Sequence, residues 1–186
     1  KWSLPFDESN AHPALLLFQG DVYRGISAED FEKEDFLFAQ KSIRILSGLY
    51  GIIKPLDLIQ PYRLEMGTQI KIGKHNDLYE FWGDDITNAI NKDKNNDYLI
   101  NLASVEYFKS INKNNLKSKL INIFFKEKRD GGYKIIGIHA KKARGLMSRF
   151  IVKNKIVNPL ELKKFSEDRY NFNKTLSTES EWIFTR

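Results

Sequence analysis

A chain of 186 residues with 41% hydrophobic residues can bury one domain core, and the absence of cysteine excludes disulfides, thiolate nucleophiles and cysteine-held metals. No run approaches the roughly twenty apolar residues that a membrane-crossing helix needs. Thirty Lys and Arg against twenty-four Asp and Glu leave a net charge of +6, which can steer a polyanion but does not by itself establish one as a partner.

The chain opens on KWSLPFDESN, without a methionine or a signal-peptide pattern, so a preceding segment of a longer protein is expected. Phe31, Phe36, Ala39, Ile43 and Leu46 are apolar, and the later ones have helical spacing. Gly48 and Gly51 punctuate that run. Pro55 predicts a short helix over Leu56–Ile59, stopped by Gln60 and Pro61. The stretch TQIKIG, ending at Gly73, alternates as a strand does. Leu78, Phe81, Trp82, Ile86, Ala89 and Ile90 share a face and predict one helix over 78–91. Runs such as NKDKNND read as solvated loops.

Further along, Tyr98–Leu102 predicts a buried strand, and Ser104 caps a helix reaching about Ile111. Ile121–Lys126 and Tyr133–His139 flank EKRDGG, a hairpin signal with a glycine-rich turn. A helix is predicted over Ala140–Lys155, and STESEWIFTR predicts an edge strand. With no repeat and no clean linker, residues 1–186 read as a single compact domain of the α+β (mixed α/β) class.

Two stretches bear on function. The first is Ser47-Gly48-Leu49-Tyr50-Gly51. It reads either as a tight turn packed for structure, or as the hairpin of a helix-hairpin-helix over residues 35–59. In the second case backbone N–H groups at Gly48 and Gly51 hold a DNA phosphate and Lys54 adds a positive charge. A dinucleotide fingerprint fits poorly, since there is no third glycine. The second stretch is AKKARGLMSRFIVKNK. Ala143, Leu146, Met147 and Phe150 fall on one helical face, while Lys141, Lys142, Arg149 and Lys153 fall mainly opposite and Arg144 lies at the boundary. This is either a solvated surface or a row of phosphate contacts, and Gly145 admits close approach of a phosphate or another backbone.

The acidic residues offer a weaker signal. Glu80 and Asp84, four apart, share a face if the helix is continuous, and salt bridging is the plain alternative to metal or acid–base work. Tyr62, Arg63 and Glu65 form a polar group after the glycines, as pocket wall or fold support. His12, His75 and His139 are scattered. His139, at the end of the predicted strand, is either structural or in contact with a substrate. No compact ligand cluster predicts a metal, and no cofactor is expected.

The phrases FQGDVYRG, LSGLYGIIKPLDLIQPYRLEMG, DLYEFWGDDIT, INLASVEYFKS and HAKKARGLMSRFIV, in this order over residues 18–152, resemble the YaaA family of bacterial peroxide-stress proteins. The family's opening strand and Ser-Pro-Ala-Lys phrase are missing. The resemblance implies a cytoplasmic protein that binds duplex or branched DNA through backbone phosphates and limits iron-driven oxidative damage. It implies a compact α/β body with a helix-hairpin-helix and a positive cleft. A monomer with no membrane partner is expected. Carried onto this chain, the DNA-binding residues are Ser47, Gly48, Tyr50, Gly51, Lys54, Lys141, Lys142, Arg144 and Arg149. Arg63, Glu65, Glu80, Asp84 and His139 form a candidate polar pocket. The competing expectations are a metal-dependent enzyme acting on nucleic acid or a phosphorylated substrate through Glu80 and Asp84, and a module whose basic face meets an acidic protein.

Overall fold

The structure, a computed structural model, describes residues 2–93 and 97–186; positions 94–96 of the NKDKNND run lie outside the described residues. The first half holds β1 (His12–Pro13), α1 (Ala14–Leu17), α2 (Asp21–Ile26), α3 (Lys33–Ser42), β2 (Ile45–Ser47), β3 (Gly51–Ile53), β4 (Leu58–Ile59), α4 (Leu78–Trp82) and α5 (Asp85–Asn91). The second half holds β5 (Tyr98–Asn101), α6 (Val105–Phe108), β6 (Lys119–Arg129), β7 (Gly132–Lys134), α7 (Gly137–Lys153), β8 (Asn171–Phe172) and β9 (Glu181–Thr185), with 3-10 turns at Pro159–Lys164 and Glu167–Arg169. Helices and strands are mixed, as expected. They divide into two compact units, residues 1–17, 40–97 and 103–119 in one, and 18–39, 98–102 and 120–186 in the other.

In the first unit the segment read as helix-hairpin-helix is a β-hairpin. α3 ends at Ser42, and β2 then pairs antiparallel with β3 in the register Ile45↔Ile53, Leu46↔Ile52, Ser47↔Gly51. Ile43, Ile45, Ile52 and Ile53 are β-branched and favour strands, so the apolar run was strand rather than helix. Gly51, at φ 71°, supplies the left-handed residue that closes the three-residue connection. The Ser47 hydroxyl accepts a hydrogen bond from the Tyr50 N–H at 2.9 Å and fixes that turn. Two neighbouring expectations change with it. Leu58–Ile59 is a strand paired with β1 rather than a helix, and the 68–73 stretch makes only an isolated bridge between Ile72 and His75. The helix expected over 78–91 breaks at Gly83, whose φ of 47° ends α4 before α5 begins. Ser104 caps α6 as expected, accepting from the Tyr107 N–H.

The second unit is built on a sheet of order β5-β6-β9-β8, with β7 folded back on β6. β9 runs parallel to β6 and antiparallel to β8, so the C-terminal strand is internal rather than an edge. The β6–β7 hairpin turns through Gly131 (φ 84°) and Gly132 (φ 126°), as EKRDGG predicts. β7 stops at Lys134 and α7 starts at Gly137, so His139 is helical rather than the end of a strand. Along β6, Ile121, Ile123 and Phe125 point to one face. There they bury against Ala140, Ala143 and Met147 of α7, with Trp182 and Phe184 of β9 in the same core.

Candidate nucleic-acid interface

Ser47, Gly48 and Gly51 are buried in the first unit, and each has a packing reason. A Cβ on Gly48 would fall 2.5 Å from the Leu64 carbonyl oxygen. A Cβ on Gly51 would fall 2.8 Å from the Trp82 ring, whose Nε1–H donates to the Gly48 carbonyl at 3.0 Å. The Ser47 hydroxyl lies 2.6 Å from the Tyr62 hydroxyl, and the Tyr50 and Tyr62 rings meet edge to face with centroids 5.3 Å apart. The glycines therefore seat a tryptophan and a strand turn, which gives each a packing role that needs no phosphate. Lys54 uses its N–H on the Asp57 carboxylate at 2.8 Å, beside Pro55 at the exit of β3.

The other polar residues selected in this unit have separate partners. Glu80 accepts from the N–H of Asn76 at 2.8 Å and from its side-chain amide at 3.0 Å, while Asp77 caps α4 by accepting from the Glu80 N–H. The Asn76 hydrogen bonds hold the Glu80 carboxyl below its ordinary value. Asp84 lies beyond the Gly83 break and accepts from the amides of Asn112 and Asn115, both at 2.7 Å. Arg63 and Glu65 are exposed on the strand-free stretch that follows β4. Behind that stretch, burial first and then the nearby Tyr62, Glu106 and Glu65 push the Tyr107 phenol up to about 12. Among the described residues no three His, Asp or Glu side chains are grouped to hold a metal ion.

In the second unit the basic residues of α7 separate into three kinds. Arg149 forks onto the Asp30 carboxylate at 2.6 and 2.7 Å, and donates to the Ile26 and Ser27 carbonyls at 3.1 and 2.8 Å. Lys153 reaches the buried Asp35 at 2.8 Å, with Lys155 on the other carboxylate oxygen. These cations fasten α7 to the segment before and within α3. Lys142 lies 4.0 Å from Asp168 and stays exposed. Arg144 and Lys141 are different, because neither side chain has a carboxylate or any other hydrogen-bond partner among the described residues. Lys141 is exposed; Arg144 is half-buried, and burial without a counter-charge pulls its guanidinium below the ordinary value. Gly145 meets a backbone, not a ligand: α2 crosses there, and Gly25 makes the matching gap.

Glu127 organises the end of α7 nearest the hairpin. It follows Ile121, Ile123 and Phe125 in the core-facing phase of β6, a charged residue where the alternation calls for an apolar one. His139 Nδ1 lies 2.5 Å from its carboxylate, the Tyr170 hydroxyl donates at 3.1 Å and Arg186 donates at 2.8 Å. Burial would raise the Glu127 carboxyl, but these hydrogen bonds outweigh it and hold it below its ordinary value. Arg186 also binds Asp168 at 2.6 Å, and Asp168 and Arg169 both adopt left-handed backbone, with φ 51° and 66°. Of this network only His139 and Lys142 were selected from the sequence. The interruption of the β6 pattern at Glu127 was the signal for the rest.

Comparison with known proteins decides the family. A family model described as peroxide stress protein YaaA matches residues 1–176. The chain belongs to this family. A UPF0246 protein of Acaryochloris marina is 55% identical over 182 residues, covering 97% of this chain and 72% of its own length. Those of Colwellia psychrerythraea and Saccharophagus degradans are 50% and 54% identical, each across 100% of this chain and 74% and 73% of their own. Among the described residues, no helix of this YaaA-family chain is long and apolar enough to cross a membrane.

Proposed function

We propose that this YaaA-family chain serves the peroxide-stress response by binding DNA phosphates in the cytoplasm through α7, with Arg144 and Lys141 as its principal contacts. The observation that carries the reading is the state of Arg144. Its neighbours on the helix, Arg149 and Lys153, have aspartates to hold, whereas Arg144 keeps a partly desolvated charge with none among the described residues. A guanidinium so placed gains most from an incoming phosphate, because much of its desolvation cost is already met. Lys141 lies one turn earlier and Lys142 beside it, so a backbone following the helix meets successive cations. Such contacts read charge rather than base sequence, which suits a protein shielding duplex or branched DNA from iron-driven damage.

The β2–β3 hairpin plays no part in this reading, since its glycines are packed under Trp82 and Leu64. Glu80 and Asp84 are left out of this reading too, since asparagine amides on separate elements hydrogen-bond to both carboxylates. The test is titration of the protein against labelled duplex and four-way-junction DNA over a salt series. Saturable binding that weakens steeply with salt, and weakens further in Arg144→Gln, supports the reading. Absence of binding at low salt refutes it.

A further inference from the structure

From Lys128 to Ile138 the chain is exposed at every position except the half-buried Ile136, so the β6–β7 hairpin and the start of α7 form one continuous solvent-facing run. This run carries three apolar side chains that the core does not use. Tyr133 is 40% exposed, Ile135 50% and Ile138 63%. Each has a cation as neighbour. Tyr133 is paired directly across the hairpin from Lys128, which places the two side chains on one face. Lys134 separates Tyr133 from Ile135. Ile138 precedes Lys141 and Lys142 by three and four residues, the positions that adjoin it on a helix surface. The carboxylates nearby are Glu127 and Asp168, already bound to Arg186, and Asp130 at the turn.

We infer that this run is a contact surface for single-stranded nucleic acid, with Tyr133 and Ile138 against base faces and Lys128, Lys134, Lys141 and Lys142 on the backbone. The inference rests on the α7 reading above and extends it to a second kind of substrate surface. A duplex buries its base faces and offers only phosphates to such a patch, so three solvent-facing apolar groups would have nothing to touch. A strand with unstacked bases offers π-faces and phosphates in alternation, which matches apolar and cationic side chains interleaved over eleven positions. Gly131 and Gly132 keep the hairpin tip free of bulk where a strand must pass.

The experiment uses the whole chain, fluorescein-labelled oligo-dT and a duplex of the same length, read by anisotropy across a salt series. Tyr133→Ala and Ile138→Ser each weaken oligo-dT binding roughly ten-fold, leave its salt slope unchanged, and leave duplex binding unchanged. Lys128→Ala with Lys134→Ala lowers the oligo-dT salt slope instead. Ile138→Val retains most of the affinity. The inference is overturned if Tyr133→Ala and Ile138→Ser bind oligo-dT as the parent does, or lose oligo-dT and duplex equally. Equal losses by circular-dichroism-verified folded variants would mean a general electrostatic or structural effect. Binding of anionic vesicles that depends on Ile138, without oligo-dT binding, also overturns it. If the parent binds duplex in an Arg144-dependent way while Tyr133→Ala and Ile138→Ser change nothing, only this inference falls. If the parent binds no DNA of either kind, both fall.

Discussion

Gly145 of α7 lies so close to Gly25 of α2 that a Cβ built on it would sit 2.8 Å from the Gly25 Cα and 2.0 Å from the Val22 carbonyl oxygen. Neither distance is tolerated by real atoms, and the obstacles are backbone, which cannot rotate away. The helix position carrying the family phrase AKKARG is thus set by a backbone-to-backbone crossing. Gly145→Ala is expected to destabilise the protein by at least 1–3 kcal/mol, the usual cost of overpacking, measured as a lower denaturant midpoint at unchanged slope. A midpoint equal to the parent's would mean that the crossing is looser than described.

The hairpin glycine predicts a related outcome with a different cause. Gly51→Ala places a side chain at φ 71° and against Trp82. About 1–3 kcal/mol of stability should go, with a red shift in tryptophan emission as the indole is displaced. DNA affinity per folded molecule should stay the same. Loss of DNA binding by a fully folded Gly51→Ala protein would restore a phosphate-binding role to this turn.

Acid sensitivity should be traceable to Asp35. Hydrogen bonds from Lys153 and Lys155, outweighing burial, hold its carboxyl far below the ordinary value. A carboxyl depressed in the folded state binds its proton more readily when unfolded, so stability rises with pH across that interval. The contribution is complete above the unfolded value of about 4 and is lost as pH falls toward the folded one. Urea midpoints between pH 2.5 and 7 should therefore fall on the acid side, and fall less steeply in Asp35→Asn. The variant should be the less stable protein at pH 7. Parallel curves for the two would contradict the assignment.

Glu127→Ala removes the acceptor shared by Arg186, His139 and Tyr170 and leaves the low-exposure Arg186 with Asp168 alone. The expected loss is on the order of 3 kcal/mol, seen in thermal or denaturant melts. Glu127→Gln, which keeps an acceptor but not the charge, should lose less.

Much of the second unit was legible because its signals were local and agreed with one another. The glycine-rich turn before Tyr133 and the apolar stripe of α7 both stand where the sequence places them, as does the Ser104 cap in the first unit. The hairpin at Ser47 was hidden because apolar spacing in a short run fits a strand as well as a helix, and only the β-branched isoleucines separate the two. The 78–91 helix failed at Gly83, where one left-handed residue ends the periodicity while the apolar pattern continues beyond it. The site suffered from a deeper limit. Spacing shows that Lys141, Lys142, Arg144 and Arg149 are basic, but whether each has a carboxylate is decided by Asp30 and Asp168, distant in sequence. Only the fold distinguishes the clamped Arg149 from Arg144, which has no carboxylate partner among the described residues.

That distinction is also the most direct test of how α7 works. The measurement is the slope of log affinity against log salt for duplex DNA, in the parent, Arg144→Gln and Arg149→Gln, each first shown to be folded. Arg144→Gln should retain the parent's stability, weaken binding and reduce the slope by about 1, because one phosphate contact is gone. Arg149→Gln should lower the melting temperature, since Asp30 and the Ile26 and Ser27 carbonyls lose their donor, yet keep the parent's slope. The reverse pattern, with Arg149 setting the slope and Arg144 leaving it untouched, would contradict the assignment of Arg144 as the phosphate contact.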